Sequence, residues 1–309
     1  MIKFYITEHG LIKEIEAPQT GCWISVVEPT EEEIYALIDD YNLDSGFVKS
    51  SLDEEESSRI EKEDDQTLII IDTPVSSVDN DETLFFYTLP IGIILTENYV
   101  FTISSKSTRI VSEAMNGSIR NLATQMKTRF VLQLLLRITT LFLFYLKQIE
   151  KTSSMAEQGL HNAMQNKLLM QLLELEKSLV YFSTSLKAND ATIEKINRGR
   201  VIKLYDEDED LLEDVLIEIK QAIEMSSIYS NILSSMMDAF ASVISNNLNI
   251  VMWRLTLITI LMAIPTIVFS FYGMNTPDLP FANTIFPTLI SLILTLLVGI
   301  LLMKSKKNK

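Results

Sequence analysis

Cysteine and histidine are scarce in this 309-residue sequence, and their scarcity excludes several kinds of site. Cys22 is the single cysteine, so no disulfide can form within the chain, and the sequence suits a reducing compartment. His9 and His161 are the only histidines and lie far apart, which argues against a tight zinc or copper site of thiolate and imidazole ligands. Any metal ion that this chain handles is therefore expected to be a hard cation met by oxygen.

Charge is nearly absent from the C-terminal part of the chain. Between Arg254 and Lys304 the one charged residue is Asp278, although the net charge of the whole chain is −15 and its mean hydropathy is +0.20. This uneven distribution of charge predicts that the acidic N-terminal part lies in water and the uncharged C-terminal part in a membrane. The acidic part argues against nucleic acid as a partner. We find no nucleophile–base pair and no phosphate-binding loop, so an enzyme is not expected.

Residues 1–120 have the pattern of an α/β domain. The first segment, Met1–Ala17, is mixed and charged and does not contain the apolar core of a signal peptide. Thr30 and Glu33 are spaced as a capping box that opens a helix, and Thr96–Asn98 is a hairpin turn between strands. The alternation of apolar residues predicts these strands: Ile2–Ile6, Leu11–Glu16, Cys22–Val26, Leu68–Asp72, Leu84–Leu89, Ile91–Leu95 and Tyr99–Ile103.

Residues 121–250 are predicted to form a bundle of long helices and a helical stalk. Helices are expected over Asn121–Glu150 and Met155–Leu186, and Phe130–Leu146 is interpreted as a buried face rather than a membrane span. Glycine and proline are absent from 200–264, which predicts one very long helix. Its coiled-coil-like seam comprises Leu212, Leu216, Ile219, Ile223, Ser226, Ser230, Leu233, Met237, Phe240 and Ile244.

Two uncharged stretches near the C-terminus are each long enough to cross a bilayer, which needs about 20 residues. We predict a first transmembrane helix at 251–272, an external loop at 273–284, a second transmembrane helix at 285–303 and a basic tail at 304–309. The loop contains no Lys or Arg, so the positive-inside rule places the tail, and with it the N-terminal part, in the cytosol.

Small and polar residues form a continuous stripe along the first predicted span. Its members recur at steps of three and four: Asn249, Met252, Thr256, Thr259, Ala263, Thr266, Ser270 and Gly273. The stripe continues back into the acidic stalk as far as Asp238. Small residues often mark helix packing in membranes, and that interpretation stays open. The length of the stripe favours the alternative, in which several copies of the chain line a pore with it.

The segment Tyr272-Gly273-Met274-Asn275, placed between two terminal spans, resembles the CorA family of divalent-cation transporters. The runs Met237–Phe240, Ser245–Met252 and Ile264–Ile267 are similar to that family as well. The resemblance implies a funnel-shaped homopentamer in the plasma membrane that admits Mg²⁺ and needs no cofactor besides that ion. Its fold would be an N-terminal α/β cytosolic domain, a long helical stalk and two C-terminal transmembrane helices, an α+β membrane protein.

The resemblance also implies roles for individual residues. Gly273, Met274 and Asn275 would form the selectivity filter, with Gly273 giving the turn, and Asp278 would be the acid of the external loop. The pore would be lined by Asp238, Asn249, Met252, Leu255, Thr256, Thr259, Ala263, Thr266 and Ser270, with the inner constriction at Met252 and Leu255 or Thr256. Asp214 matches one acidic position of a regulatory Mg²⁺ site between subunits. The partner segment departs from the family pattern, and Asp53 is the substitute.

Alternatives remain open at this point. The acidic runs Asp53–Asp65 and Asp206–Asp214 are either plain solvated surface or a sensor of divalent ions. Within the same fold the transported ion could be zinc or another transition metal rather than Mg²⁺. A membrane-anchored signalling or structural coiled-coil protein is a third hypothesis, and it would need neither the polar stripe nor the special loop.

Overall fold

The structure is a computed structural model that describes residues 1–78, 84–158, 165–199, 201–275, 283 and 285–307. The strands of this described part are β1 Ile2–Glu8, β2 Leu11–Ile15, β3 Trp23–Val27, β4 Arg59–Glu63, β5 Gln66–Val78, β6 Leu84–Leu95 and β7 Val100–Ser104. Its α-helices are α1 Glu31–Asp39, α2 Ser45–Leu52, α3 Arg109–Met115, α4 Lys127–Gln158, α5 Gln165–Asn197, α6 Glu209–Tyr272 and α7 Ile285–Lys307.

The seven strands form one sheet in the order β2-β1-β3-β7-β6-β5-β4, in which only the β3–β7 pair is parallel. The predicted strands are present, but Leu84–Leu89 and Ile91–Leu95 are a single strand, β6, that runs through Pro90. Pro90 precedes the part of β6 that pairs with β7, and its partner Asp72 in β5 donates its backbone N–H to side chains outside the sheet. A strand accepts proline where no ladder hydrogen bond needs the missing N–H.

One face of the sheet is covered by α1 and α2. Thr30 and Glu33 form the predicted capping box: Glu33 N donates to Thr30 Oγ1 at 3.3 Å, and Thr30 N donates to Glu33 Oε2 at 2.9 Å. The helix α2 and the strand β4 were not predicted. A Cβ at Gly92 of β6 would collide with Ser51 of α2, so glycine is needed at this close approach.

The helices α4 and α5 also pack against the sheet, chiefly on β5 and β6. Phe86 of β6 lies 5.3 Å from the ring of Tyr145 in α4 and 6.0 Å from the ring of Phe182 in α5. Phe142 of α4 meets Phe182 edge-on at 5.0 Å. The apolar run Phe130–Leu146 is therefore largely buried, but it packs on the sheet as well as on α5 rather than inside a helix bundle.

The two long helices have other boundaries than the sequence predicted. The helix α4 begins six residues later, at Lys127, and continues past the expected end at Glu150 as far as Gln158. Ser153 in this extension is buried and donates its hydroxyl to Met236 Sδ at 3.9 Å, so packing maintains the helix there. The second helix, α5, runs from Gln165 to Asn197 instead of over Met155–Leu186.

The long helix predicted after Gly199 is α6, which begins at Glu209 after a 3₁₀ turn at Asp206–Asp208. Half of the predicted seam is correct, because Leu212, Ile219, Ser226, Leu233 and Phe240 are buried. Three other members are displaced by one residue: the structure buries Val215, Ala222 and Met236 in place of Leu216, Ile223 and Met237. The last two predicted members are not buried, since Ser230 is half-buried and Ile244 is exposed. Both members of the first two pairs are apolar, and the smaller side chain faces the packed side in each.

The chain divides into two compact units, Met1–Met237 and Asp238–Lys309. The first contains the sheet, α1 to α5 and the first part of α6, so the sheet and the helices predicted beyond residue 120 share one unit. The second contains the remainder of α6 and α7. The membrane segments predicted at 251–272 and 285–303 lie in the second unit and remain predictions.

Candidate functional site

Three helices of the described chain are long and apolar enough to cross a membrane, judged by length and composition. They lie in Lys127–Ala156, Asp206–Tyr272 and Ile285–Leu302, and their most apolar windows have mean hydropathies of 1.6, 2.1 and 2.6. The structure buries 67% of the first window but 0% of the second and 11% of the third. The apolar surface of α4 is thus covered by protein, whereas that of α6 and α7 is not.

Within the second unit, α7 packs against one face of α6. A Cβ at Gly299 would lie 3.5 Å from Leu261 Cδ2, and the rings of Tyr272 and Phe286 are 6.4 Å apart. The less exposed side chains of α6 between 251 and 272 are Trp253, Leu257, Leu261, Ile264, Pro265, Val268 and Tyr272. These residues repeat at steps of three and four and therefore define a single helix face.

The packing face of α7 was missed in the sequence analysis. Ser291 is buried, and Thr295 and Gly299 are half-buried, so these three small residues belong to the α7 side of the contact. Their spacing of four residues is the small-residue pattern that allows two helices to approach closely in membranes. That pattern was available in the sequence and would have identified the face.

The predicted polar stripe lies on another face of α6 from the one that packs on α7. At about 100° per residue, the stripe from Asn249 to Gly273 stays within about 60° of one direction, and the α7 face is centred about 150° away. Met252, Thr256, Thr259, Ala263, Thr266 and Ser270 are all exposed. Contact with α7 therefore does not account for the stripe.

The threonine hydroxyls of the stripe already donate to the helix backbone. Thr256 Oγ1 donates to Met252 O at 2.8 Å, Thr259 Oγ1 to Leu255 O at 2.9 Å, and Thr266 Oγ1 to Met262 O at 3.0 Å. A hydroxyl that has donated its proton still has oxygen lone pairs with which to accept. The stripe can therefore present acceptors to the hydrogens of water molecules.

The segment Gly273–Asn275 directly follows the end of α6. Gly273 N donates to Phe269 O at 2.9 Å, and Asn275 is exposed. Gly273 does not have the positive φ that its expected turn role suggested. Its lack of a side chain matters for another reason, because a Cβ there would lie 3.1 Å from Phe269 O. Asp278, the expected acid of the loop, is outside the described residues.

The predicted inner end of the stripe lies at the start of the second unit. Asp238 and Asn249 are exposed, as are the apolar side chains of Met252 and Leu255. Ser242 Oγ donates to the Asp238 backbone O at 3.0 Å, a bond that does not involve the Asp238 carboxylate. Their roles in a pore stay predictions, since a pore would require several chains.

The two candidate regulatory acids are exposed and far apart in the sequence. Asp53 follows α2, and its Oδ1 accepts from Glu55 N at 3.0 Å, while Asp214 lies on the first part of α6. Among the described residues, the structure contains no group of three or more His, Cys, Asp or Glu side chains placed to hold a metal ion. A site that takes one acid from each of two subunits is not tested by a single chain.

The soft ligands of the chain are poorly placed for metal binding. Cys22 is fully buried in the core, and burial raises the pKa of its thiol, which disfavours the thiolate that a metal requires. His9 is exposed in the turn between β1 and β2, and His161 lies outside the described part of the chain. The surfaces available to an ion in the described second unit present oxygen and the sulfur of methionine.

Comparison with known proteins gives a consistent result. A sequence model of the family described as CorA-like Mg2+ transporter protein matches residues 18–304. The cobalt/magnesium transport protein CorA of Methanocaldococcus jannaschii is 29% identical over 289 residues, which cover 91% of this chain and 87% of that protein.

Two solved structures share the fold. The complete structure of the CorA magnesium transporter from Methanocaldococcus jannaschii has a TM-score of 0.77 at 24% identity and covers 98% of this chain and 96% of its own. The ZntB cytoplasmic domain from Vibrio parahaemolyticus has a TM-score of 0.60 at 13% identity and covers 80% and 97%. At these identities the two structures support the fold alone. Because the family match extends over most of the sequence, this chain belongs to the CorA-like Mg2+ transporter family, whose members are membrane proteins that transport divalent cations.

Proposed function

We propose that this chain forms a channel-like transporter that carries Mg²⁺ into the cell across the plasma membrane. The functional unit is a homopentamer, α6 and α7 provide the two transmembrane helices of each subunit, and both termini are cytosolic. The observation that supports the proposal best is the exposed polar stripe of α6, which lies on a different face from the α7 contact.

One hairpin cannot enclose a pore, so the stripe requires partners. If it faced lipid, its oxygen acceptors would be left without hydrogen-bond donors, which is costly in a bilayer. Copies of α6 arranged around a common axis would instead turn the stripe toward water and the remaining apolar side chains toward lipid or neighbouring helices. The exposed apolar residues on the other faces, including Ile258 and Met262, suit that arrangement.

The chemistry of the stripe suits a hydrated ion. Mg²⁺ releases its water reluctantly, and full dehydration would need strong oxygen ligands such as carboxylates. From Asn249 to Asn275 the stripe offers amide, hydroxyl and backbone oxygens without a carboxylate. These groups can accept hydrogen bonds from the water shell of the ion. A ring of Asn275 side chains at the outer mouth, supported by Gly273 and Met274, would hold the hydrated ion loosely enough to release it.

The inner part of the proposed pore combines a barrier with an electrostatic attraction. Met252 and Leu255 are exposed apolar side chains that would narrow the pore and close it by dewetting, next to the hydroxyl of Thr256. Asn249 and Asp238 would line the pore on the cytosolic side. A potential of 100 mV, negative inside, supplies about 4–5 kcal/mol for a divalent ion, which is sufficient to drive uptake.

Control by intracellular Mg²⁺ is the remaining part of the proposal. Asp214 and Asp53 are both exposed, so they are available to acids of a neighbouring subunit. Mg²⁺ bound between subunits would relieve the repulsion between carboxylates and stabilise the closed pentamer. Intracellular Mg²⁺ would then close its own entry route.

Transport of zinc or another transition metal is the second candidate function, while Co²⁺ and Ni²⁺ belong to the first candidate, as further ions that the Mg²⁺ channel would pass. The fold shared with the ZntB cytoplasmic domain motivates it. The buried thiol of Cys22 and the scarcity of histidine favour Mg²⁺, since softer metals prefer sulfur and nitrogen ligands.

Ion flux in liposomes tests the proposal. Purified protein is reconstituted with an ion-sensitive dye inside the vesicles, a potential negative inside is imposed, and Mg²⁺ or Zn²⁺ is added outside. We expect potential-dependent Mg²⁺ entry that Asn275→Ala removes and that Asn116→Ala, at an exposed asparagine of the first unit, preserves. Zn²⁺ entry without Mg²⁺ entry would favour the second candidate, and entry of neither ion would refute both.

A further inference from the structure

The contacts between α6 and α7 fix which residues of the two helices lie at the same level. Leu261 lies beside Gly299, and Tyr272 lies beside Phe286, so the two helices are antiparallel. The residue numbers of two positions at the same level therefore add up to about 560. Because both helices rise about 1.5 Å per residue, Arg254 of α6 lies level with the stretch of α7 that begins at Lys304. The same end of the hairpin thus receives a cation from each helix.

Arg254 belongs to the α7 side of α6 rather than to the polar stripe. It follows Trp253 and precedes Leu257 and Leu261, all of which are among the less exposed residues on the α7 side. On a helical wheel Arg254 lies about 20° from Leu261 and about 160° from Met252 and Ser270. Its guanidinium would therefore be presented outside the proposed pore, near Lys304.

Neither cation has a carboxylate partner in the described part of the chain. All ion pairs found among the described residues lie between residues 1 and 220. Arg254 and Lys304 are exposed. The cation pair at this end of the hairpin is therefore available to an external anion.

A row of exposed apolar side chains leads away from each cation. On α6, Ile258 and Met262 follow Arg254 at successive steps of four and are 57% and 70% exposed. On α7, Leu301 and Leu297 precede Lys304 and are 58% and 51% exposed. Positive charge at one end and an apolar track beyond it complement a molecule with an anionic head and a hydrocarbon tail, whereas a free phosphate would use only the charges.

We propose that Arg254 and Lys304 together bind the phosphate headgroup of an anionic phospholipid of the inner leaflet, whose acyl chain lies along Ile258 and Met262. Arg254 pairs with phosphate oxygens in bidentate geometry, and Lys304 adds a second charge-assisted contact. This inference rests on the proposed function, because it requires the hairpin to lie in a bilayer.

Trp253 provides a direct reporter for this site. It is adjacent to Arg254, and the one other tryptophan, Trp23, is fully buried in the first unit. Full-length protein is reconstituted in phosphatidylcholine vesicles that contain increasing fractions of brominated phosphatidylglycerol or brominated phosphatidylcholine, both of which quench nearby indoles. A Trp253→Phe variant supplies the fluorescence of Trp23 for subtraction.

We expect brominated phosphatidylglycerol to quench Trp253 at a lower lipid fraction than brominated phosphatidylcholine. Each of the two cations should contribute about a fivefold preference for the anionic lipid. The double variant Arg254→Gln/Lys304→Gln should lower the preference about 25-fold, to the level that the remaining lysines of the basic tail at 304–309 contribute. Lys147→Gln/Lys187→Gln removes two charges from exposed lysines of the first unit and should keep it. Soluble glycerol phosphate should not reverse the quenching.

The other outcomes overturn the inference in distinguishable ways. Equal quenching by both brominated lipids in the wild type would refute the headgroup site and leave the membrane hairpin intact. Reversal by glycerol phosphate would identify a site for free phosphate instead of lipid. Quenching by neither lipid would show that Trp253 lies away from the bilayer, and the membrane hairpin of the proposed function would then fail together with this inference.

Discussion

The helix α4 and the second part of α6 are similar in composition but differ in their surroundings. Both contain apolar windows long enough to cross a membrane, yet 67% of the window in α4 is buried by protein and none of the window in α6 is. In α4 the apolar side chains meet the sheet and α5, as Phe142 does with Phe182. In α6 they are exposed around a polar stripe. Hydropathy thus identifies a helix that needs an apolar partner, and the fold determines whether protein provides it.

Polar residues in the two helices differ in the same way. Arg137 of α4 interrupts an apolar run, and its Nε donates to Glu113 Oε2 of α3 at 2.6 Å. The stripe of α6 contains no charged residue from Asn249 to Gly273, because Arg254 lies on another face of the helix, and its threonines donate to their own backbone. The polar groups of α4 stabilise the fold, whereas those of α6 remain available to water or an ion.

The largest expected effect is a loss of Mg²⁺ uptake when the segment that follows α6 is changed. Asn275→Ala should abolish Mg²⁺ uptake, because each hydrogen bond to a charged or ion-bound ligand is worth about 1.5–3 kcal/mol and every subunit loses one. Gly273→Ala should act similarly, since its Cβ would press on Phe269 O. Growth of a strain deficient in Mg²⁺ uptake is the measurement, with membrane expression verified. Normal growth with well-expressed Asn275→Ala would remove Asn275 from the filter.

The burial of α4 gives the second prediction. Phe142→Ala should lower the free energy of unfolding by about 3–5 kcal/mol, because it opens a cavity beside Phe182 and the sheet. Phe144, on the same helix, is 43% exposed and lies over Arg109, so Phe144→Ala should cost about 1 kcal/mol or less. Thermal unfolding of the two variants checks the contrast. Equal losses would mean that α4 is not embedded in the fold as described.

Chemical labelling tests the two kinds of exposed surface on α6. Cysteine in place of Thr266 or Ser270 should react with small hydrophilic thiol reagents in membranes, because the stripe faces water in the proposed pore. Cysteine in place of Ile258 or Phe269 should react at least about tenfold more slowly, since those positions would face lipid or protein. Cys22 is fully buried, and a Cys22→Ala background removes any residual signal. Equal rates at all four positions would return the stripe to simple helix packing.

A smaller effect, on protection from proteolysis by Mg²⁺, is expected from the acidic run at the start of α6. Millimolar Mg²⁺ should protect the first unit from limited proteolysis, and Asp214→Asn should gain much less protection, because the ion would lose one of its few oxygen ligands. Glu213→Gln, at the adjacent exposed acid, is the matched control and should behave as wild type. If Mg²⁺ protects both variants equally, Asp214 is plain surface.

The smallest predicted effect concerns the ion pair that anchors α4. The hydrogen bond from Arg137, followed by the one from Arg109, holds the pKa of Glu113 below its usual range. A lowered folded-state pKa stabilises the fold above the unfolded pKa of about 4.3, and this contribution is lost as the pH falls through the folded value. Glu113→Gln should therefore cost about 1 kcal/mol at pH 7 and nothing well below pH 4.

Glu16→Gln, at an exposed acid without an ion pair in the described structure, is the control for Glu113→Gln and should unfold as wild type at both pH values. Thermal melts at neutral and acid pH supply the comparison. A loss for Glu113→Gln that persisted at low pH would mean that shape, rather than charge, maintains the contact between α3 and α4.

Local patterns in the sequence were sufficient for much of the fold. The capping box at Thr30 and Glu33 and the turn at Thr96–Asn98 depend on neighbours within a few residues, and the structure contains both. The strand β6 was divided at Pro90 because the cost of a proline depends on which partner strand needs its N–H. The helix α2 was missed because its short sequence has little periodicity, and its place depends on the close approach at Gly92.

The seam of α6 shows the same limit at the level of single residues. Val215 and Leu216 are both apolar, as are Ala222 and Ile223, so spacing alone permits either member of each pair to face the fold. The structure buries Val215 and Ala222. Which neighbour faces inward depends on the volume available against other helices, and that volume is not a property of the local sequence.

The sequence by itself determined the two-solvent character of the chain, the long helix after Gly199, the polar stripe and the short loop at Gly273–Asn275, because charge, hydropathy and helical periodicity are local properties. Only the tertiary structure decided that α4 is covered by the sheet while α6 and α7 remain uncovered, and that α7 packs on a face of α6 other than the stripe. Those outcomes depend on which surfaces meet across long stretches of chain, since burial is decided by complementary shape between distant residues rather than by the composition of either one.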